Sequence, residues 1–286
     1  MDADRPPPRR RLRARRVCTG WPIRRRSNGA RVTTEQTLPS RGRRRSSGAV
    51  DSIAIVIPAR NEEELIGRCL GSIDAAVARA RATLTDDAPH IVTVVVVDSS
   101  HDGTEAIAAG FTGVSVLTID AQNVGEARRA GIDLALTTVC MLGHRDTSRV
   151  WIANTDADSA VPEHWLLTQL DLAEQGADVM VGTVRPDFAD LTPAQTAAWL
   201  ALNPAGEPGG HIHGANLGLR ANLYQRVGRF AALTEHEDVD LLARLEAQDA
   251  RIVSTTTAEV LTSGRQAGRT PGGFAGYLRT ELIPPS

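Results

Sequence analysis

The chain has 286 residues, 42% of them hydrophobic, enough for one large α/β domain or two small ones. Only 3% are aromatic, which disfavours a stacking platform for nucleic acid. The net charge of −2 is unevenly placed: residues 1–48 hold 15 Arg against Asp2, Asp4 and Glu35, a net +12, and the remaining −14 makes the body too acidic to grip a phosphate backbone.

Residues 1–48 are rich in Pro and Arg and poor in apolar side chains, the composition of a disordered tail. The tail reads as a solvated extension rather than an anchor to anionic lipid or nucleic acid, because nothing in its order forms a motif. No apolar run reaches the roughly 20 residues that a membrane-spanning helix needs, and no secretory signal follows the early arginines. Cys18, Cys69 and Cys140 have no metal-ligand or redox spacing. A cytoplasmic, reduced protein is expected, with peripheral contact at the inner face of a membrane left open.

After Gly48 the composition changes. Ile53 to Ile57 reads as a strand buried on both faces and ends at Pro58. Residues 62–80 place Leu65, Ile66, Cys69, Leu70, Ile73 and Val77 at helical spacing, with Asn61 as the expected cap and Glu62, Glu63 and Glu64 in the first turn. A second strand, Ile91 to Val97, leads into the polar loop Asp98 to Thr104 and a short helix. Val114 to Ile119 is a third strand, and a helix runs from Asn123-Val124-Gly125 through Leu136. Val150 to Ala153 is a fourth strand, followed by a helix over 161–174 and a strand over 178–184.

An irregular insertion is expected over 185–210, with a short helix near 194–200. His213 to Arg220 suggests a short strand. Residues 235–245 suggest an amphipathic helix, 251–253 and 259–261 two final strands, and 263 onward a mobile basic loop. Such alternation predicts a doubly wound, mostly parallel α/β sheet with all strand carboxyl ends on one edge. On that edge fall Arg60, Glu62, Asp98, Asp102, Asp156 and Asp158. The division expected is a tail (1–48) and one domain (49–286), itself a nucleotide-binding half (49–158) and an acceptor half (159–286).

The chemistry centres on Asn154-Thr155-Asp156-Ala157-Asp158. Two carboxylates one residue apart at a strand end can turn into the crevice where α/β proteins bind ligands. Their hard oxygens suit Mg²⁺ or Mn²⁺ bridging to substrate phosphates. A lone pair of this kind is far more often a solvated turn or a helix cap, so the neighbouring motifs decide. His211 and His213 alternate as two ligands could, but a polar strand edge is the commoner reading.

Five motifs in order resemble those of family 2 glycosyltransferases with the GT-A fold, over roughly residues 53–265. They are Ile57-Pro58-Ala59-Arg60-Asn61-Glu62, Val97-Asp98 through Gly103-Thr104, Asp156-Ala157-Asp158, Gly214-Ala215-Asn216 and Glu237-Asp238. The resemblance implies a nucleoside-diphosphate sugar donor held by Pro58, Ala59, Arg60, Glu62, Asp98, Arg128, Asp156 and Ala157. It also implies a Mg²⁺ or Mn²⁺ cation on Asp158 assisted by Asp156, and a hydroxyl acceptor on Gly214, Ala215 and Asn216. Asp238 would be the base, with Glu237 beside it. Arg265 is a candidate diphosphate clamp, from the composition of its loop, as is Arg269.

Ser99-Ser100 stands where the family has Asp-Gly, and the stretch from Asn123 to Gly131 is two residues shorter than the commoner version. No histidine follows His236, which favours an inverting over a retaining transferase and leaves no third metal ligand identified. A retaining relative acting on glycerate or phosphoglycerate is the nearest competitor. Sugar-phosphate nucleotidyltransfer would need a catalytic lysine, and the chain has none. A binding module that has lost turnover is the non-enzyme alternative.

Overall fold

The computed structural model describes residues 49–204, 206, 212–268 and 273–282. The Arg- and Pro-rich tail, His211 and Arg269 lie outside the described residues. Eight strands form one sheet: β1 (Ser52–Ala59), β2 (His90–Asp98), β3 (Val114–Ile119), β4 (Val150–Asn154), β5 (Ser159–Ala160), β6 (Val179–Pro186), β7 (Leu217–Arg220) and β8 (Ile252–Thr262). Their order is β3-β2-β1-β4-β7-β6-β8-β5. β1 to β4 pair in parallel, β7 is antiparallel to both its neighbours, and β6 and β8 are parallel.

The continuous apolar run of β1 follows from burial on both faces. Ile53, Ile55 and Ile57 pack against α1 (Ile66–Leu84), α2 (Thr104–Ala109) and α4 (Trp165–Glu174). Ala54 and Val56 face α3 (Val124–Met141), α6 (Ala221–Arg226) and α7 (Glu237–Glu246). Each fully buried isoleucine contributes roughly 1.5–3 kcal/mol relative to an exposed one. Gly131 lets α3 sit close on the sheet, since a Cβ there would lie 2.6 Å from Val56 Cγ1 and Val96 Cγ2. A third, small apolar cluster joins α5 (Pro193–Leu202) to α8 (Phe274–Glu281) through Trp199, Leu278 and Leu282.

Topology explains which residues meet. The carboxyl ends of β1, β2 and β4 share one edge because those strands are parallel. β7 runs the other way, with Leu217 opposite Asn154, so the segment before β7 arrives at that same edge. Pro186 pairs with Thr262, which brings the residues after β8 there as well.

Several boundaries differ from expectation. α1 begins at Ile66 and Asn61 does not cap it: Asn61 has φ +50°, and its Oδ1 accepts from the His101 N–H at 2.8 Å. The expected cap residues instead tie the first loop to the second, with Glu62 N donating to Thr104 Oγ1 (2.7 Å) and Glu63 N to Asp102 Oδ2 (3.1 Å). α3 extends to Met141, and α4 starts only at Trp165. The region after residue 185 holds α5, opened by a Thr192–Gln195 capping box. The two final strands are one, β8, and part of the expected mobile loop is α8. No helix among the described residues is long and apolar enough to cross a membrane.

Candidate active site

At this edge lies a cavity of about 440 Å³, within the ordinary range for ligand pockets. Pro58, Ala59, Arg60, Glu62, Asp98, Arg128, Asp156, Ala157, Asp158, Gly214, Ala215, Glu237, Asp238 and Arg265 line it. Asp102, expected at this edge, and Asn216, expected on the acceptor side, do not. Asp102 instead accepts from Glu63 N and Thr104. Asn216 is fully buried behind the wall: its Oδ1 accepts from Trp165 Nε1 (2.9 Å), and its Nδ2 donates to Thr183 O (2.9 Å) and Ala258 O (2.8 Å). Asn216 therefore ties α4, β6 and β8 together, and the acceptor role expected of it is corrected to a structural one.

Asp98 closes β2 and shapes the loop opposite. Its carboxylate accepts from the backbone N–H groups of Ala121 (2.8 Å), Gln122 (2.8 Å) and Asn123 (2.9 Å). Burial would raise its pKa, but these bonds and one from Ser99 favour the charged form and bring it below the usual value. Ser99 (φ +52°) and Gln122 (φ +51°) both adopt left-handed backbone beside it. Such conformations persist only where surrounding bonds impose them.

The next two acidic positions are held by arginines. Asp156 Oδ1 accepts from Arg128 Nη2 at 2.7 Å, and Asp158 Oδ2 is ion-paired with Arg265 Nη2 at 2.8 Å. Arg265 also forks onto Glu62, with Nη1–Oε2 2.9 Å and Nη2–Oε1 2.7 Å. Glu62, expected among the residues that hold the donor, is only 4% exposed and has both oxygens on a guanidinium.

Arg128, expected among the donor-binding residues, is a buried cross-tie. Its Nε donates to Glu237 Oε1 (3.0 Å), its Nη1 to Gly214 O (3.2 Å) and its Nη2 to Asp156, while the Phe230 ring centroid lies 5.9 Å from its Cζ. Gly214 has to be glycine for this, because a Cβ would sit 2.4 Å from Arg128 Nη2. α7 is delivered to α3 by the loop before it. Gly125 N donates to Leu233 O at 3.2 Å, and a Cβ on Gly125 would meet Ala231 O at 2.1 Å.

His236 turns into α7 with φ +61°, and Glu237, Asp238 and Asp240 occupy the helix's first turn, where the macrodipole favours negative charge. Asp238 Oδ2 accepts from Gly214 N (2.7 Å) and its Oδ1 from Val239 N (2.8 Å). Burial pushes both Glu237 and Asp238 above the ordinary carboxylate range, against the opposing pull of Arg128. Such a pair can accept a proton, whereas Asp98 stays charged.

Among the described residues no group of three or more His, Cys, Asp or Glu side chains could hold a metal ion by itself. The donor set at 156 and 158 is two carboxylates. That suits a hard cation completed by substrate phosphate and water, because Mg²⁺ commonly takes one or two protein carboxylates. The sequence reading missed the cross-tie role of Arg128 and an aromatic wall of Trp199, Phe274 and Tyr277. The i, i+3 spacing of the last two was the available signal.

Comparison with known proteins bears on the whole arrangement. The chain matches no curated protein. Its fold is shared with solved structures: S. aureus TarS 1-349 (TM-score 0.52, 15% identity, 75% of this chain and 61% of that one); mannosyltransferase PcManGT from Pyrobaculum calidifontis, in complex with GDP-Man and Mn²⁺ (0.50, 19%, 78% and 59%); and GalNAc-T7 with UDP, GalNAc and Mn²⁺ (0.51, 14%, 76% and 44%). The chain thus covers about three fifths or less of the length of each. The glycosyl transferase family 2 profile matches residues 54–221, which takes in β1, the Asp98 loop, the 156–158 turn and the segment before β7. With more than half of its residues inside that match, and its sheet folded as in those structures, the chain belongs to glycosyl transferase family 2.

Proposed function

We propose that this protein transfers a sugar from a nucleoside-diphosphate donor to an acceptor hydroxyl, with inversion and with Mg²⁺ or Mn²⁺ held jointly by Asp158, Asp156 and the donor's diphosphate. The carrying observation is that Asp98, Asp156, Asp158 and Asp238, dispersed along the sequence, line one cavity at one sheet edge. Pro58, Ala59 and the Asp98 loop form the nucleoside side, and Gly214 and Ala215 the acceptor side. A bound divalent cation would stabilise the negative charge left on the departing diphosphate by several kcal/mol. The cation and nucleotide in PcManGT and GalNAc-T7 support this reading by shared fold alone.

Asp238 takes the proton of the attacking hydroxyl, a contribution of about 10²- to 10⁴-fold for a positioned base. Gly214 N fixes one of its oxygens, and Glu237 beside it stays with Arg128. Arg265 supplies the positive charge between Glu62 and Asp158, and on donor binding it turns to the diphosphate as a charge-assisted clamp.

The test is calorimetry of UDP and GDP with and without Mn²⁺. At least one should bind more tightly with the cation, and binding indifferent to it would overturn the metal role. Proton NMR of the first-formed product decides inversion against retention.

A further inference from the structure

The cavity changes character along its length. Of the chain's four Trp, two Tyr and four Phe, Trp199, Phe274 and Tyr277 meet on one wall of it. Trp199 is edge-on to Phe274 (centroids 5.8 Å apart) and to Tyr277 (6.2 Å), and Phe274 and Tyr277 stack at 6.4 Å. Offset and edge-on pairs of this kind hold the rings in place. Trp199 is buried in the α5–α8 cluster, while Phe274 and Tyr277 keep partly exposed rings toward the cavity. The wall continues to His213, whose ring is edge-on to Phe274 at 5.6 Å. The next residue, Gly214, donates its N–H to Asp238 at 2.7 Å. One residue of backbone therefore separates the aromatic wall from the carboxylate assigned as base.

The acids of this cavity near α7 are accompanied by Arg128, which donates to Gly214 O and Glu237. Glu235, Glu237 and Asp238 line the cavity there. The chain has no lysine, and the three arginines among the described lining residues are already engaged: Arg60 with Gln122, Arg128 with Asp156, Glu237 and Gly214 O, Arg265 with Glu62 and Asp158. An acceptor carrying phosphate or carboxylate would have to take one of these arginines from the acids it already holds. A pyranose ring has what this lining complements, a flat C–H face for aromatic rings and hydroxyls at its rim for carboxylates.

We propose that the acceptor is an uncharged sugar ring that lies on the Trp199, Phe274 and Tyr277 wall and presents a hydroxyl to Asp238. The proposal rests on the glycosyltransferase reading for the hydroxyl's fate, though not for the binding itself. The full-length protein, alone and with UDP or GDP plus Mn²⁺, is titrated with methyl glucosides, galactosides, mannosides and N-acetylglucosaminides, and separately with 3-phosphoglycerate, following heat and tryptophan fluorescence. At least one neutral glycoside should bind and 3-phosphoglycerate should not. Tyr277→Ala and Phe274→Ala, whose rings are partly exposed, should weaken that glycoside about tenfold while the nucleotide dissociation constant moves less than about twofold. Trp199→Phe, which keeps a ring in the cluster, should give a smaller loss. Binding of 3-phosphoglycerate alone, no glycoside binding, or binding unmoved by both alanine variants overturns the proposal. Glycoside binding without any nucleotide binding upholds the sugar site and rejects the transferase reading.

Discussion

The two ends of the cavity treat their carboxylates in opposite ways. At the proposed donor end each acid has a fixed cationic or N–H partner: Asp98 three backbone N–H groups, Asp156 the guanidinium of Arg128, and Glu62 and Asp158 that of Arg265. At the proposed acceptor end Asp238 has two backbone N–H bonds, aromatic rings one residue away and burial that raises its pKa. Negative charge kept in place suits a site for a cation and a nucleotide. Carboxylates held less firmly in their charged form suit proton transfer, since a base works best when its pKa approaches the operating pH.

The largest expected effect breaks the acceptor end alone. Asp238→Asn should lower kcat by about 10²- to 10⁴-fold, the usual worth of a positioned base. Nucleotide affinity should change less than about twofold, because Asp238 touches none of the donor-side acids. Steady-state kinetics and calorimetry on one preparation check both, and unchanged turnover would remove Asp238 as the base.

The second breaks the link between the ends. Arg128 is buried between Asp156 and Glu237, so Arg128→Gln leaves carboxylates without their counter-charge at a cost of about 3–5 kcal/mol in unfolding free energy. Denaturant unfolding reads this directly. Arg128→Lys should rescue little, because one ammonium cannot span Glu237, Gly214 O and Asp156 as the planar fork does.

These two residues also show what sequence could and could not reveal. Asp98, Asp156 and Asp158 were legible because each follows an apolar strand, and a strand's carboxyl end fixes where the next residues go. The edge shared by β1, β2 and β4 follows from parallel pairing alone. The tying roles of Asn216 and Arg128 were not legible because their partners, Thr183 and Ala258 for one, Gly214 and Glu237 for the other, come together only through the reversed strand β7 and the loop that carries α7 onto α3. Asn61 failed as a cap for a similar reason, since the second loop claimed its side chain. The aromatic wall lies on two helices, α5 and α8, far apart in the chain, and neither carries a motif.

A third prediction sharpens the donor end. Arg265→Gln removes the fork on Glu62 and the contact to Asp158, and should weaken Mn²⁺-dependent nucleotide binding by about tenfold, the worth of one charge-assisted hydrogen bond. The stability loss should exceed that of a surface pair, because Glu62 is 4% exposed and loses the fork on both its oxygens, yet stay below that of Arg128→Gln, because the Arg265 side chain is 33% exposed. Tighter nucleotide binding in the variant would mean that Arg265 competes with the ligand and is no clamp.

The smallest effect is on pH dependence, and it separates the two ends without a large loss of function. Asp238 is raised in the folded protein by burial, so its favourable contribution to stability is complete below the unfolded value of about 3.9 and is lost as pH rises through the folded value. Asp98 is lowered, so its contribution is present above the unfolded value and lost only as pH falls through the folded one. Asp238→Asn, which cannot titrate, should therefore gain stability relative to the parent as pH rises from 4 toward neutrality, whereas the deficit of Asp98→Asn should be complete near neutrality and shrink as pH falls below about 4. In turnover, the acid limb of kcat should lie above the ordinary aspartate range, because the base must be deprotonated to accept the hydroxyl proton. An acid limb at the ordinary value would place the catalytic proton on a group less buried than Asp238, and the contrast between the two ends would then lose its chemical meaning.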